Sequence, residues 1–137
     1  MRLHHVQLAI PPGGEGVARG FYGGVLGMAE VAKPAELAKR GGCWFRRGEW
    51  ELHLGVERDF VAARKAHPGV VVDDLDALAR RLGAAARPVT WDGDFPGHRR
   101  FYSQDDHGNR LEFLEPIRDE EPVKDEEPVK DEEPIKD

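Results

Sequence analysis

Cysteine is nearly absent: Cys43 is the one thiol in 137 residues. That excludes a disulfide within the chain and a zinc site built on cysteine. Long apolar runs are also missing, and nothing approaches the roughly 20 residues a membrane-spanning helix needs. Residues 1–15 lack a basic start followed by an apolar stretch, so no secretory signal is expected and a cytoplasmic location is the default. There is no glycine-rich phosphate loop and no serine–histidine–acid nucleophile arrangement. The length suits one domain, or two small modules sharing one core.

The net charge of −6 is unevenly spread. Residues 119–137 repeat DEEPVK, DEEPVK, DEEPIK and carry ten acids against three lysines, a net −7. The preceding 118 residues are therefore close to neutral, at +1. A neutral body gives no electrostatic reason to expect nucleic-acid binding. The repeat has one aliphatic residue and one proline per six, too little to offset the entropy of ordering, so it reads as a disordered acidic tail. Its roles are solubility or docking of a basic partner.

The body alternates two textures. Leu3–Ile10 reads as a strand, stopped by Pro11-Pro12-Gly13-Gly14. Val17–Leu26 reads as a helix weakened by its glycines, each costing about 1 kcal/mol. Strands are expected at Met28–Lys33, Gly42–Arg46 and Glu49–Val56, then a linker over Glu57–Ala66. The plan restarts with a strand at His67–Val72. A helix opens at Asp73-Asp74, with Leu75, Leu78 and Leu82 on its apolar face and an aspartate able to cap it. Strands at Pro88–Trp91, His98–Ser103 and Arg110–Glu115 follow. The result is strand, helix and three strands, twice: modules of about 1–57 and 66–118. Each alone has a thin core, so pairing is expected.

Alternation puts successive strand residues on opposite faces. Val6, Leu8 and Ile10 oppose His5, Gln7 and Ala9. Trp50, Leu52, Leu54 and Val56 oppose Glu51, His53 and Gly55. Leu111 and Phe113 oppose Glu112; Val70 and Val72 oppose His67. The apolar faces should sit under helices, leaving His5, His53, His67 and Glu112 on the other. If the halves curl into one cup, all four converge on a site suited to zinc, nickel, cobalt, iron or manganese. His4, His98 and His107 read as structural or exposed. Phe45, Phe101 and Phe113 read as core, as does Cys43; Trp91 and Phe95 read as core or pocket wall. Trp44 reads as core or pocket wall, and Arg46-Arg47 as a solvated strand end.

The segments RLHHVQLAI, FYGGVLGM, ELHLGVE, AHPGVVVDDLDAL and HGNRLEFLEP, in this order, resemble the vicinal oxygen chelate superfamily over about 1–116. That superfamily includes glyoxalase I, fosfomycin-resistance enzymes, bleomycin-resistance proteins and extradiol dioxygenases. The resemblance implies an α+β fold of paired βαβββ modules, forming a curved eight-stranded mixed sheet with a metal cup. It implies one divalent ion held by His5, His67 and Glu112. His53 is then either a fourth ligand or a general base. Ala9 stands where glyoxalase I has a glutathione-binding arginine. Glu120 and Glu121 stand where fosfomycin enzymes place a cationic region. His53 lies fourteen residues before His67, and Tyr102 ten before Glu112, the spacings of the extradiol enzymes.

Two readings follow from the resemblance. In one, a metal enzyme (isomerase, lyase or dioxygenase) binds a small substrate through adjacent oxygens and stabilises an oxyanion. Tyr102 and Glu51 would serve catalysis, and Gln7 and Trp44 would line the pocket. In the other, a metal-free, bleomycin-resistance-like homodimer binds a small molecule in its cleft.

Overall fold

The computed structural model describes residues 1–118; the acidic repeat and its expected disorder lie outside the described residues. The first half runs β1 (His5–Ile10), α1 (Glu15–Ala18), a π-helical segment (Arg19–Val25), β2 (Ala29–Val31), α2 (Ala35–Ala38), β3 (Cys43–Arg47) and β4 (Trp50–Val56). The second runs β5 (Gly69–Val71), α3 (Leu75–Ala84), β6 (Thr90–Asp92), β7 (His98–Gln104) and β8 (Arg110–Pro116).

The expected single eight-stranded sheet is not what forms. There are two separate four-stranded mixed sheets, ordered β1-β4-β3-β2 and β5-β8-β7-β6. In each, the first strand lies parallel to the last and the others are antiparallel. The free edges of β1 and β5 do not bond to each other. β5 is three residues long and follows Pro68, which has no N–H to extend a ladder.

The expected helix over Val17–Leu26 also changes character. Only Glu15–Ala18 is α-helical, and Arg19–Val25 widens to π geometry, with Leu26 donating to the Phe21 carbonyl. Gly20, Gly23 and Gly24 weaken the tighter helix. The wider turn lets the consecutive Phe21 and Tyr22 both be buried.

α3 follows its pattern closely. Leu75 and Leu82 are fully buried, and the Asp74 carboxylate accepts from the Ala77 N–H at 3.0 Å, capping the first turn. At its far end Ala86 takes φ +61, a left-handed conformation that usually belongs to glycine.

One apolar cluster spans both halves. Leu52 and Leu54 of the first sheet, Leu111 and Phe113 of the second, Phe45, Phe101 and the helical residues share it. Trp91 and Phe95, expected as core or pocket wall, stand outside this cluster and are partly exposed, at 47% and 36%. Polar side chains clasp the halves. Tyr22 donates its hydroxyl to Asp105 at 2.6 Å, Asn109 Nδ2 donates to the Ala9 carbonyl at 2.9 Å, and the His107 ring donates to the Gly14 carbonyl at 2.9 Å. Burial, then the Asp105 charge, pushes the Tyr22 phenol well above its usual range, so it stays a donor.

Gly42 is required where it stands. Its φ is +85, and a Cβ there would lie 2.1 Å from the Leu54 carbonyl oxygen. Its N–H donates to Glu15 at 2.7 Å, joining β3 to α1.

Candidate functional site

On the first sheet, alternation and register place His5, Glu51 and His53 on the face away from the core. His5 pairs with Glu51, Gln7 with His53, and Trp44 with His53. The three rings form a ladder. Trp44 stacks on His53 with centroids 4.0 Å apart, and His53 stacks on His5 at 3.9 Å. His53 is only 4% exposed as a result. Its Nε2 meets Glu51 Oε1 at 2.8 Å, and Arg46 reaches the other Glu51 oxygen at 2.8 Å. These hydrogen bonds, from His53 first and then Arg46, hold the Glu51 carboxyl below its ordinary range. Desolvation of its ring, then the neighbouring imidazoles of His53 and His4, lowers His5. Lys33 lies over the Trp44 ring at 5.7 Å. Gln7 lies across Gly55, where a Cβ would meet its amide at 2.7 Å.

On the second sheet, Glu112 of β8 stands directly opposite Tyr102 of β7, and β5 brings in His67 just ahead of Gly69. His67 Nε2 meets Glu112 Oε1 at 2.9 Å, and Arg100 donates to Glu112 Oε2 at 3.0 Å. Arg100 also reaches Asp92 at 3.4 Å. Tyr102 is flanked by the guanidinium groups of Arg100 at 5.2 Å and Arg110 at 4.3 Å, and its ring meets His67 edge-on at 5.5 Å. Burial works to raise the Glu112 carboxyl. The hydrogen bonds from His67 and Arg100 outweigh it, and the group sits below its ordinary value.

The four expected ligands thus meet as two pairs, His5 with His53 and His67 with Glu112. No group of three or more histidine, cysteine, aspartate or glutamate side chains able to hold a metal ion occurs among the described residues. The local chemistry agrees. Both Glu112 oxygens are already engaged, one by the permanently cationic Arg100, which disfavours a second cation. His67 Nδ1 faces the Lys65 carbonyl at 2.8 Å while Nε2 faces a carboxylate. Both ring nitrogens therefore already face acceptors, and an ion bound here would have to displace one of them. As arranged within one chain, these residues do not fit the ion that the resemblance implies.

Two residues beside the site escaped the sequence reading. Arg100 shares the Glu112 face by alternation with Tyr102, a signal visible only once the β7–β8 register is known. His4 lies outside β1, so strand alternation does not govern it, and its Nδ1 approaches His5 Nδ1 at 3.0 Å.

Two βαβββ halves with their polar residues on the sheet faces away from a shared core define a vicinal oxygen chelate fold. The chain belongs to the glyoxalase family of that superfamily. It is 45% identical to a glyoxalase family protein from Bacillus anthracis, with a TM-score of 0.83 over 85% of this chain and 96% of that one. Two further solved structures share the fold. A glyoxalase/dioxygenase from Nostoc punctiforme has 20% identity and a TM-score of 0.70, covering 85% of this chain and 92% of that one. An antibiotic binding protein from a Streptomyces species has 21% identity and a TM-score of 0.67, covering 85% and 99%. No family model matches the chain, and no curated protein does. Among the described residues no helix is long and apolar enough to cross a membrane.

Proposed function

We propose that this chain binds a small planar molecule without a metal, as a homodimer. Its binding surface is the Trp44–His53–His5 ladder of one sheet together with the Tyr102–Arg100–Glu112–His67 face of another. The observation that carries this reading is the Glu112 carboxylate, closed on one side by Arg100 and on the other by His67. A residue so engaged orders a polar wall and does not wait for an ion.

The chemistry of binding follows from the groups displayed. The indole and imidazole rings supply a rigid aromatic surface. Tyr102 offers a hydroxyl to a ligand oxygen, Arg110 and Lys33 offer charge beside aromatic faces, and Gln7 adds both a donor and an acceptor. Glu51 fixes the His53 ring and acts as a positioning residue.

Thermal melting of the full chain tests this. A ligand that binds only the folded state raises the melting temperature by mass action. Zinc and nickel are expected to leave it unchanged, whereas planar aromatic drugs raise it and quench tryptophan fluorescence, an effect reduced in Trp44→Phe. A rise with zinc or nickel that disappears in His67→Ala would instead show a metal bound at this site, as the metal-dependent reading requires.

A further inference from the structure

A second concavity lies on the opposite, core side of the sheets, where the two halves meet. It is a groove of about 390 Å³, within the range of small-molecule sites. Trp50 and Leu52 of β4, Val70 of β5, Leu78 of α3, and Leu111 and Phe113 of β8 make its walls apolar. None of the residues of the face described above lines it.

Its charges are segregated. Arg47 and Arg81 stand at one end, where the π-helical segment closes. Each gives a single long hydrogen bond to a main-chain carbonyl there, Arg47 to Leu26 at 3.3 Å and Arg81 to Val25 at 3.4 Å. Neither has a carboxylate partner among the described residues. Asp73 and Asp74 line the other end, and Asp74 is committed to capping α3. Arg81 lies seven residues beyond Asp74 along α3, about 10 Å at the α-helical rise.

We infer that this groove binds a compact apolar anion: an aromatic ring system bearing one carboxylate or sulfonate. The anion sits between Arg47 and Arg81, and the ring lies along Leu78 and Phe113. The orientation follows from the charges, since reversing it sets anion against Asp73. Arginine suits this role because its planar fork matches a carboxylate or sulfonate.

Fluorescence titration of the full chain with two dyes of one ring system decides the matter: anilinonaphthalene sulfonate, which is anionic, and N-phenylnaphthylamine, which is neutral. Both are expected to bind. Replacing both cations (Arg47→Gln with Arg81→Gln) should weaken the sulfonate dye about tenfold and leave the neutral dye within about twofold, tenfold corresponding to roughly 1.4 kcal/mol. Leu78→Trp, which fills the groove, should weaken both. Should Leu78→Trp fail to fold, the arginine pair alone decides, since both side chains are exposed and their removal spares the core. Absence of binding by either dye, or sulfonate binding indifferent to the arginine pair, overturns the inference.

Discussion

His67 and Glu112 are 45 residues apart in sequence and 2.9 Å apart in space. They meet because β8 returns parallel to β5, pairing Gly69 with Glu112 and setting the histidine just ahead of the ladder. Arg100 closes the carboxylate from the other side. The outcome is a charged cluster whose Glu112 and Arg100 side chains are only 9% and 18% exposed.

Removing both members of such a pair should cost less than the two single removals added together. Glu112→Ala leaves the half-buried Arg100 only its longer contact to Asp92, and Arg100 Nε already has no partner. A loss of about 2–3 kcal/mol is expected. The double variant Arg100→Ala with Glu112→Ala should lose clearly less than the sum of the singles. Urea unfolding of all four proteins measures this; strict additivity would show that the pair is not coupled.

The Tyr22–Asp105 hydrogen bond joins the halves inside the core, where both residues are nearly inaccessible. Tyr22→Phe keeps the ring and deletes the donor. Asp105 retains Asn109 Nδ2 on the same oxygen at 2.9 Å, so the loss should be moderate, about 1–2 kcal/mol. A lower urea midpoint with an unchanged slope is the expected result. An unchanged midpoint would mean that the bond adds nothing net.

Glu15 gives a pH dependence with a definite sign. The Gly42 N–H holds its carboxyl below the ordinary value of 4.5. A depressed carboxyl stabilises the fold above the unfolded value and loses that contribution as pH falls through the lower, folded value. Glu15→Ala should therefore cost about 1 kcal/mol at pH 7, with the deficit shrinking at pH values well below 4.5. Melts at neutral and acidic pH compare the two proteins directly; a constant deficit would rule out the charge as the cause.

Ala86 holds a left-handed conformation after α3, with the Arg87 N–H returning to the Leu82 carbonyl at 2.8 Å. Glycine adopts this geometry without a Cβ penalty, so Ala86→Gly should stabilise the protein by about 0.5–1 kcal/mol. A drop in melting temperature would show that the unfolded-state entropy of glycine dominates instead.

The strand and helix order was legible because it rests on local chemistry. Leu75, Leu78 and Leu82 repeat at helical spacing behind a capping aspartate, and β1 and β4 alternate polar with apolar residues. Element ends were less legible. Ala35–Ala38 carries no apolar stripe, and the π geometry of Arg19–Val25 reflects the burial of Phe21 and Tyr22, which only the packed core imposes.

The amino-acid order by itself determined two βαβββ halves, an apolar face on each sheet, and the placement of His5, His53 and Glu112 on the opposite faces. Alternation along a strand is a property of the backbone and needs no partner. Folding alone decided that these side chains meet in pairs, that Arg100 claims Glu112, and that Trp44 closes over His53. Such contacts depend on which strands lie side by side and in what register, and the energy that selects a register is spread across the whole core.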